Sequence, residues 1–155
     1  MFMRKLVIAL GLMTCCFQPP AHAAADVGVG IILGEPTGIS FHSWLPGNNV
    51  AAQFAAGWRT SNNKEIHVQA DYLRYDMQRI PIEGGYLPLY YGVGVRIVDD
   101  NDDDTRVGVR IPFGLNYFFK STPVDVFFEL APVLDLVPDT DFDLNGGIGI
   151  RFRFR

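Results

Sequence analysis

The segment Leu144-Asn145-Gly146-Gly147-Ile148-Gly149-Ile150-Arg151-Phe152-Arg153-Phe154-Arg155 alternates two kinds of residue almost without fault. Strand side chains have a period of two, so Ile148, Ile150, Phe152 and Phe154 share one face. Gly147, Gly149, Arg151 and Arg153 share the other. The same alternation recurs upstream. Val107, Val109, Ile111, Phe113, Leu115 and Tyr117 oppose Gly108, Arg110, Pro112, Gly114 and Asn116. Leu89, Tyr91, Val93, Val95 and Ile97 oppose Tyr90, Gly92, Gly94 and Arg96. Val124, Val126, Phe128 and Leu130 oppose Asp125, Phe127 and Glu129, and Ile66, Val68, Ala70 and Tyr72 oppose His67, Gln69 and Asp71.

Between these runs lie turn formers: Gly34-Glu35-Pro36, Pro46-Gly47-Asn48-Asn49, Ser61-Asn62-Asn63-Lys64, an Asp run, Lys120-Ser121-Thr122-Pro123 and Pro138-Asp139. The pattern predicts eight strands over 27–33, 37–44, 50–59, 65–75, 87–98, 106–119, 124–134 and 142–154, and no amphipathic helix of usable length. An even count suits a sheet closed on itself with both ends on one side. The expected fold is therefore all-β: an eight-stranded antiparallel up-and-down transmembrane β-barrel with lipid outside and polar groups inside. One connection fits poorly. Residues 76–86 form the longest link, yet they fall at the end where turns are short. Either the fourth strand runs on through Arg79-Ile80-Pro81-Ile82 or the count is off by one.

Alternation alone does not say which face points inward, so a soluble calycin-like barrel that binds a small ligand is the rival reading. Two features weigh against it. Beyond residue 23 the only lysines are Lys64 and Lys120, both in turns, whereas soluble sheets mark their solvent faces with Lys, Glu and Thr. Trp44, Trp58, Tyr72, Tyr86, Tyr117, Phe118 and Phe154 also fall near strand ends, where interfacial girdles of a membrane barrel belong.

The first residues address the chain for export. Arg4 and Lys5 precede an apolar stretch from Leu6 to Met13, too short to cross a bilayer as a helix, and Ala21-His22-Ala23 supplies a cleavage site. The expected organisation is a signal peptide over 1–23 and a single outer-membrane barrel domain over 24–155. Cys15 and Cys16 offer a lipoprotein alternative, but Met13 and Thr14 match poorly the small residues that precede a lipidated Cys. Cleavage after Ala23 removes both cysteines, and with them any disulfide or thiolate chemistry. It also removes Arg4 and Lys5 and moves the formal charge from −4 to −6. No basic footprint for nucleic acid exists.

Several stretches together resemble a known family: Gly34-Glu35-Pro36-Thr37-Gly38, Leu87-Pro88-Leu89-Tyr90-Tyr91-Gly92-Val93-Gly94, Phe127-Phe128-Glu129-Leu130-Ala131-Pro132-Val133, and Asp141-Phe142-Asp143-Leu144-Asn145-Gly146-Gly147-Ile148-Gly149. They look like the small bacterial outer-membrane β-barrel proteins of unknown function first described in Borrelia. The similarity spans essentially everything after residue 23. It implies an eight-stranded barrel similar to the OmpA and OmpX type, with no catalytic residues to carry over. One departure concerns assembly. Such barrels often end on an aromatic residue, whereas here Phe154 is penultimate and Arg155 last.

Candidate chemistry adds little. Ser40 and His42 share a face, and Asp125 or Glu129 would complete a Ser–His–acid set for a lipid-modifying enzyme. Polar filler of the lumen is the plainer reading, for these residues and for His67. Asp100-Asn101-Asp102-Asp103-Asp104 copies the start of an EF-hand loop, but its sixth position is Thr105 rather than Gly and its twelfth Ile111 rather than Glu. Divalent cations bridging this acidic loop to lipopolysaccharide phosphates are the binding hypothesis it leaves. No cofactor is expected. The charges that matter are structural: Arg96, Arg110, Arg151 and Arg153 facing Asp71, Asp125 and Glu129 inside the barrel, with Arg110 and Glu129 as cross-strand partners. Outer-membrane lipid, lipopolysaccharide and the barrel-assembly machinery are the expected partners of a monomer with a non-catalytic, structural or interaction role.

Overall fold

The computed structural model describes residues 26–59, 65–100 and 105–154, without the side chains of residues 59, 78 and 79. The expected signal peptide with its cleavage site and cysteines, and most of the acidic run, lie outside the described residues. Nine strands are described: β1 (Val27–Gly34), β2 (Gly38–Trp44), β3 (Val50–Arg59), β4 (Glu65–Ile82), β5 (Gly85–Asp100), β6 (Arg106–Arg110), β7 (Phe113–Phe119), β8 (Val124–Val137) and β9 (Asp141–Phe154). No described helix is long and apolar enough to cross a membrane.

All pairings are antiparallel, and they return to their starting point. The order runs β4-β3-β2-β1-β9-β8, then β6 and β7, then β5, which pairs with β4 again. The sheet thus closes on itself. Closure removes the unpaired edges that would otherwise recruit another chain.

The sixth predicted strand, 106–119, is a correction: it is two strands, β6 and β7. The cause is Pro112, which has no N–H to give the ladder. Register is unbroken across the gap, since Arg110 pairs with Gly94 and Phe113 with Tyr91, three residues further along on each strand. Hydrogen bonds from Gly92 N to Pro112 O (2.9 Å) and from Ile111 N to Pro132 O (3.0 Å) span it. Both pieces occupy one position between β5 and β8.

Residues 76–86 settle the alternative that the sequence left open, and the fourth strand runs on beyond its expected end at 75. They are no long connection, because β4 continues to Ile82 and pairs with β5 from Ile82↔Gly85 onward. A register irregularity between Asp76 and Ile80 breaks the alternation that would have revealed this. The hairpin turn is only Glu83-Gly84, and Gly84 takes φ +83°, a conformation that costs a residue without Cβ nothing.

The sense of the two faces is the main result of the fold. Ile31 (53% exposed), Val93 (53%), Val95 and Ile97 point outward with most other large apolar strand residues. Arg110 and Arg151 are 1% exposed. This inverts the arrangement of a soluble calycin, whose apolar face fills the interior. The buried apolar residues gather in a small cluster that includes Ile32, Leu73, Tyr75, Tyr90, Phe118 and Phe127.

Candidate functional site

The enclosed interior is the candidate site, and its construction follows a simple cross-strand rule. Asp71 on β4 pairs with Gly94 on β5, which pairs with Arg110 on β6. Arg96 on β5 pairs with Gly108 on β6, which pairs with Asp135 on β8. Tyr90 on β5 pairs with Gly114 on β7, which pairs with Glu129 on β8. In each case a glycine separates two long polar side chains, and its missing side chain leaves the space through which they meet. A Cβ at Gly94 would strike the Asp71 carboxylate, one at Gly108 the Asp135 carboxylate, and one at Gly114 the Tyr90 ring.

Three groups of charges result, two of them linked through Gln53. At the centre, Arg110 Nη2 donates to Glu129 Oε1 at 2.5 Å, and Arg110 Nε lies 3.3 Å from Asp71 Oδ1. The other oxygen of Glu129 accepts from Tyr90 Oη at 2.8 Å and from Gln53 Nε2 at 2.9 Å. Gln53 passes the connection on, because its Oε1 accepts from Arg151 Nη1 at 2.8 Å. Arg151 then holds Asp125, its direct cross-strand neighbour, through Nε at 2.9 Å and Nη2 at 2.8 Å. Its guanidinium also lies over the Phe127 ring, 4.3 Å from the centroid, a favourable placement of cation on π-face. Arg153 is more loosely held, 4.0 Å from Asp125.

The third group corrects the expected partners of Arg96. It meets none of Asp71, Asp125 and Glu129. Its fork grips Asp135 through Nε (3.0 Å) and Nη2 (2.6 Å), while Nη1 contacts Asn145 Oδ1 (2.6 Å) and Asp143 Oδ2 (2.9 Å). Such bidentate, charge-assisted bonds are the stronger kind. Sequence reasoning missed Asp135 because it lies one residue beyond the predicted strand end. The signal was present, since Asp135 has the same parity as Asp125 and Glu129. Gln53, Tyr75, Tyr90 and Asn145 were missed as members for a different reason: parity gives a face but not a partner.

The Ser–His–acid set is not assembled. His42 Nε2 lies 3.1 Å from Tyr75 Oη, and the buried Ser40 hydroxyl has no hydrogen-bond partner among the described residues. Asp125 and Glu129 are engaged by arginines. His67 is buried and lines a cleft of about 470 Å³ at the end of the sheet carrying the β1–β2 and β8–β9 links; Glu65, Arg96, Arg106 and Asp143 line it too. Among the described residues no group of three His, Cys, Asp or Glu is gathered for a metal. Of the acidic run, Asp99 accepts from Thr105 Oγ1 at 2.9 Å; residues 101–104 lie outside the described residues.

At the opposite end, which carries the β2–β3, β4–β5 and β7–β8 turns, aromatic rings close the interior. Trp44, Tyr86 and Phe118, expected in an outer girdle, belong to this inward cluster instead. Trp44 and Tyr75 stand 4.7 Å apart, Tyr75 and Tyr90 5.2 Å, and Tyr86 stacks on Phe118 at 5.0 Å and 15°. Such pairs contribute about 0.5–1.5 kcal/mol beyond their buried area.

This closed sheet with a polar interior is of β-barrel type. No family model matches the sequence, and neither does any curated protein. Among solved structures, the N-terminal β-barrel domain of Pseudomonas aeruginosa OprF is similar, with a TM-score of 0.57 at 14% identity, covering 84% of this chain and 96% of that one. Ail, the attachment invasion locus protein of Yersinia pestis, matches with a TM-score of 0.46 at 14% identity, over 84% of this chain and 97% of that one. At such identity the OprF likeness defines the fold alone.

Proposed function

We propose that the chain is an integral outer-membrane β-barrel protein, with eight transmembrane positions in its wall and a lumen filled by its own side chains. The observation that carries this reading is the inverted sense of the sheet. An exterior of Ile31, Val93, Val95, Ile97, Ile148 and Ile150 is costly in water and suited to hydrocarbon. Counting β6 and β7 as one position gives the even number expected of such barrels. The signal peptide, with cleavage after Ala23, and the likeness to the Borrelia-type barrel family belong to the same reading.

The role we assign is structural or interactive rather than catalytic. The carboxylates that a Ser–His–acid set would need, Asp125 and Glu129, are already engaged by Arg151 and Arg110 inside the wall. Its partners are outer-membrane lipid, lipopolysaccharide and the assembly machinery, and it works as a monomer. Fractionation tests the reading. The protein should stay with membranes through carbonate and high salt and leave only with detergent; release without detergent overturns it. On gels, unboiled and boiled samples should migrate differently, as a closed sheet resists detergent unfolding.

A further inference from the structure

At the turn end of the barrel the Arg153 guanidinium is only partly satisfied. Asp125 is gripped by Arg151, which leaves Arg153 Nε at 4.0 Å and without a hydrogen bond among the described residues, although it is buried. Arg153 Nη2 reaches only the Phe119 carbonyl, at 3.4 Å, and the guanidinium lies 5.0 Å from the Phe118 ring centroid. Beside it opens a cleft of about 500 Å³, lined by Tyr86, Lys120, Ser121, Thr122 and Arg153 among others. None of the residues lining it is acidic. The size lies within the ordinary range of small-ligand sites, roughly 300–1,000 Å³.

The cleft is held in shape by backbone bonds. Lys120 N donates to Gly84 O at 3.1 Å and Arg153 N to Pro123 O at 2.7 Å. The β7–β8 turn is thereby pinned to the β4–β5 hairpin on one side and to β9 on the other. Two cations and two hydroxyls therefore line one cavity whose backbone is already ordered before binding. Arginine and lysine with hydroxyl donors are the chemistry that recognises phosphate oxygens.

We propose that this cleft binds a phosphate group, and that the phosphate is the headgroup of a phospholipid in the adjoining leaflet. The lipid source rests on the membrane reading above. The phosphate chemistry does not.

The test uses the folded protein in a phosphate-free detergent such as octyl glucoside, with backbone amide shifts as the readout. It is titrated separately with inorganic phosphate and with soluble dihexanoyl phosphatidylglycerol. Saturable shifts should centre on Lys120, Ser121 and Thr122. Lys120→Gln should weaken binding about tenfold, the scale of one lost charge-assisted bond, and Lys120→Arg should retain it. Lys120 is exposed on a turn, so its substitution leaves the fold intact; Arg153→Gln is the second variant. Absence of saturation with both probes overturns the site, as does affinity unchanged in both Gln variants. Saturation by inorganic phosphate but not by the lipid overturns the lipid source alone. Should carbonate extraction show a soluble protein, the inorganic-phosphate titration in plain buffer still decides the phosphate site.

Discussion

Glu129 takes three donors at once, from Arg110, Gln53 and Tyr90, and it is 3% exposed. A carboxylate so placed is tolerable only while those donors remain. Truncating one member of a buried ion pair strands the other, at about 3–5 kcal/mol. Arg110→Ala and Glu129→Ala should each lower stability on that scale. Urea unfolding from lipid vesicles, followed by tryptophan fluorescence, reads the cost. The double variant should lose less than the sum, because the second removal relieves what the first stranded; strict additivity would refute the coupling. Gly108 makes a companion case. Gly108→Ala places a methyl group against the Asp135 carboxylate that Arg96 grips, and overpacking of this kind costs about 1–3 kcal/mol. The same unfolding measurement should find that loss, and should find it smaller when Asp135 is already Ala.

The strands themselves were largely legible, and the reason is physical. A period of two needs only local sequence, so the faces of β5, β8 and β9 follow from residue parity. Parity says nothing of height along the barrel, however. Arg96 was correctly turned inward, but its meeting with Asp135 depends on how β6 registers against both neighbours, which no single segment encodes. Where the alternation itself falters, the reading failed or stayed open. Pro112 split one expected strand, and the irregular stretch between Asp76 and Ile80 left the continuation of β4 as one of two alternatives. The outward faces yield a prediction of their own. Val93 is 53% exposed near the middle of the wall. On a soluble protein Val93→Arg would change stability by no more than about 0.5 kcal/mol. Facing hydrocarbon at mid-depth it should cost about 2–4 kcal/mol. Unfolding from vesicles separates the two outcomes, and a near-neutral result would count against a lipid-facing wall.

At the scale of the whole molecule, polarity is sorted by radius and openness by end. Clefts of about 470 and 500 Å³ lie at the two ends. Between them run Arg96 with Asp135, Arg110 with Asp71 and Glu129, and Arg151 with Asp125. The rings of Trp44, Tyr75, Tyr86 and Phe118 pack below. A barrel of eight strands has an interior just wide enough for side chains, and here Arg96, Arg110 and Arg151 are each held by a carboxylate rather than left to swing aside. An ion entering from either end would have to break a guanidinium–carboxylate contact that water cannot easily replace in so narrow a space. The purified protein in planar bilayers should therefore show little or no steady conductance. Arg110→Ala and Glu129→Ala, by loosening the central group, should raise the frequency of brief openings before they abolish folding. A large, stable, ohmic pore in the parent protein would mean that the interior is not filled as described, and the protein would then have to be read as a channel.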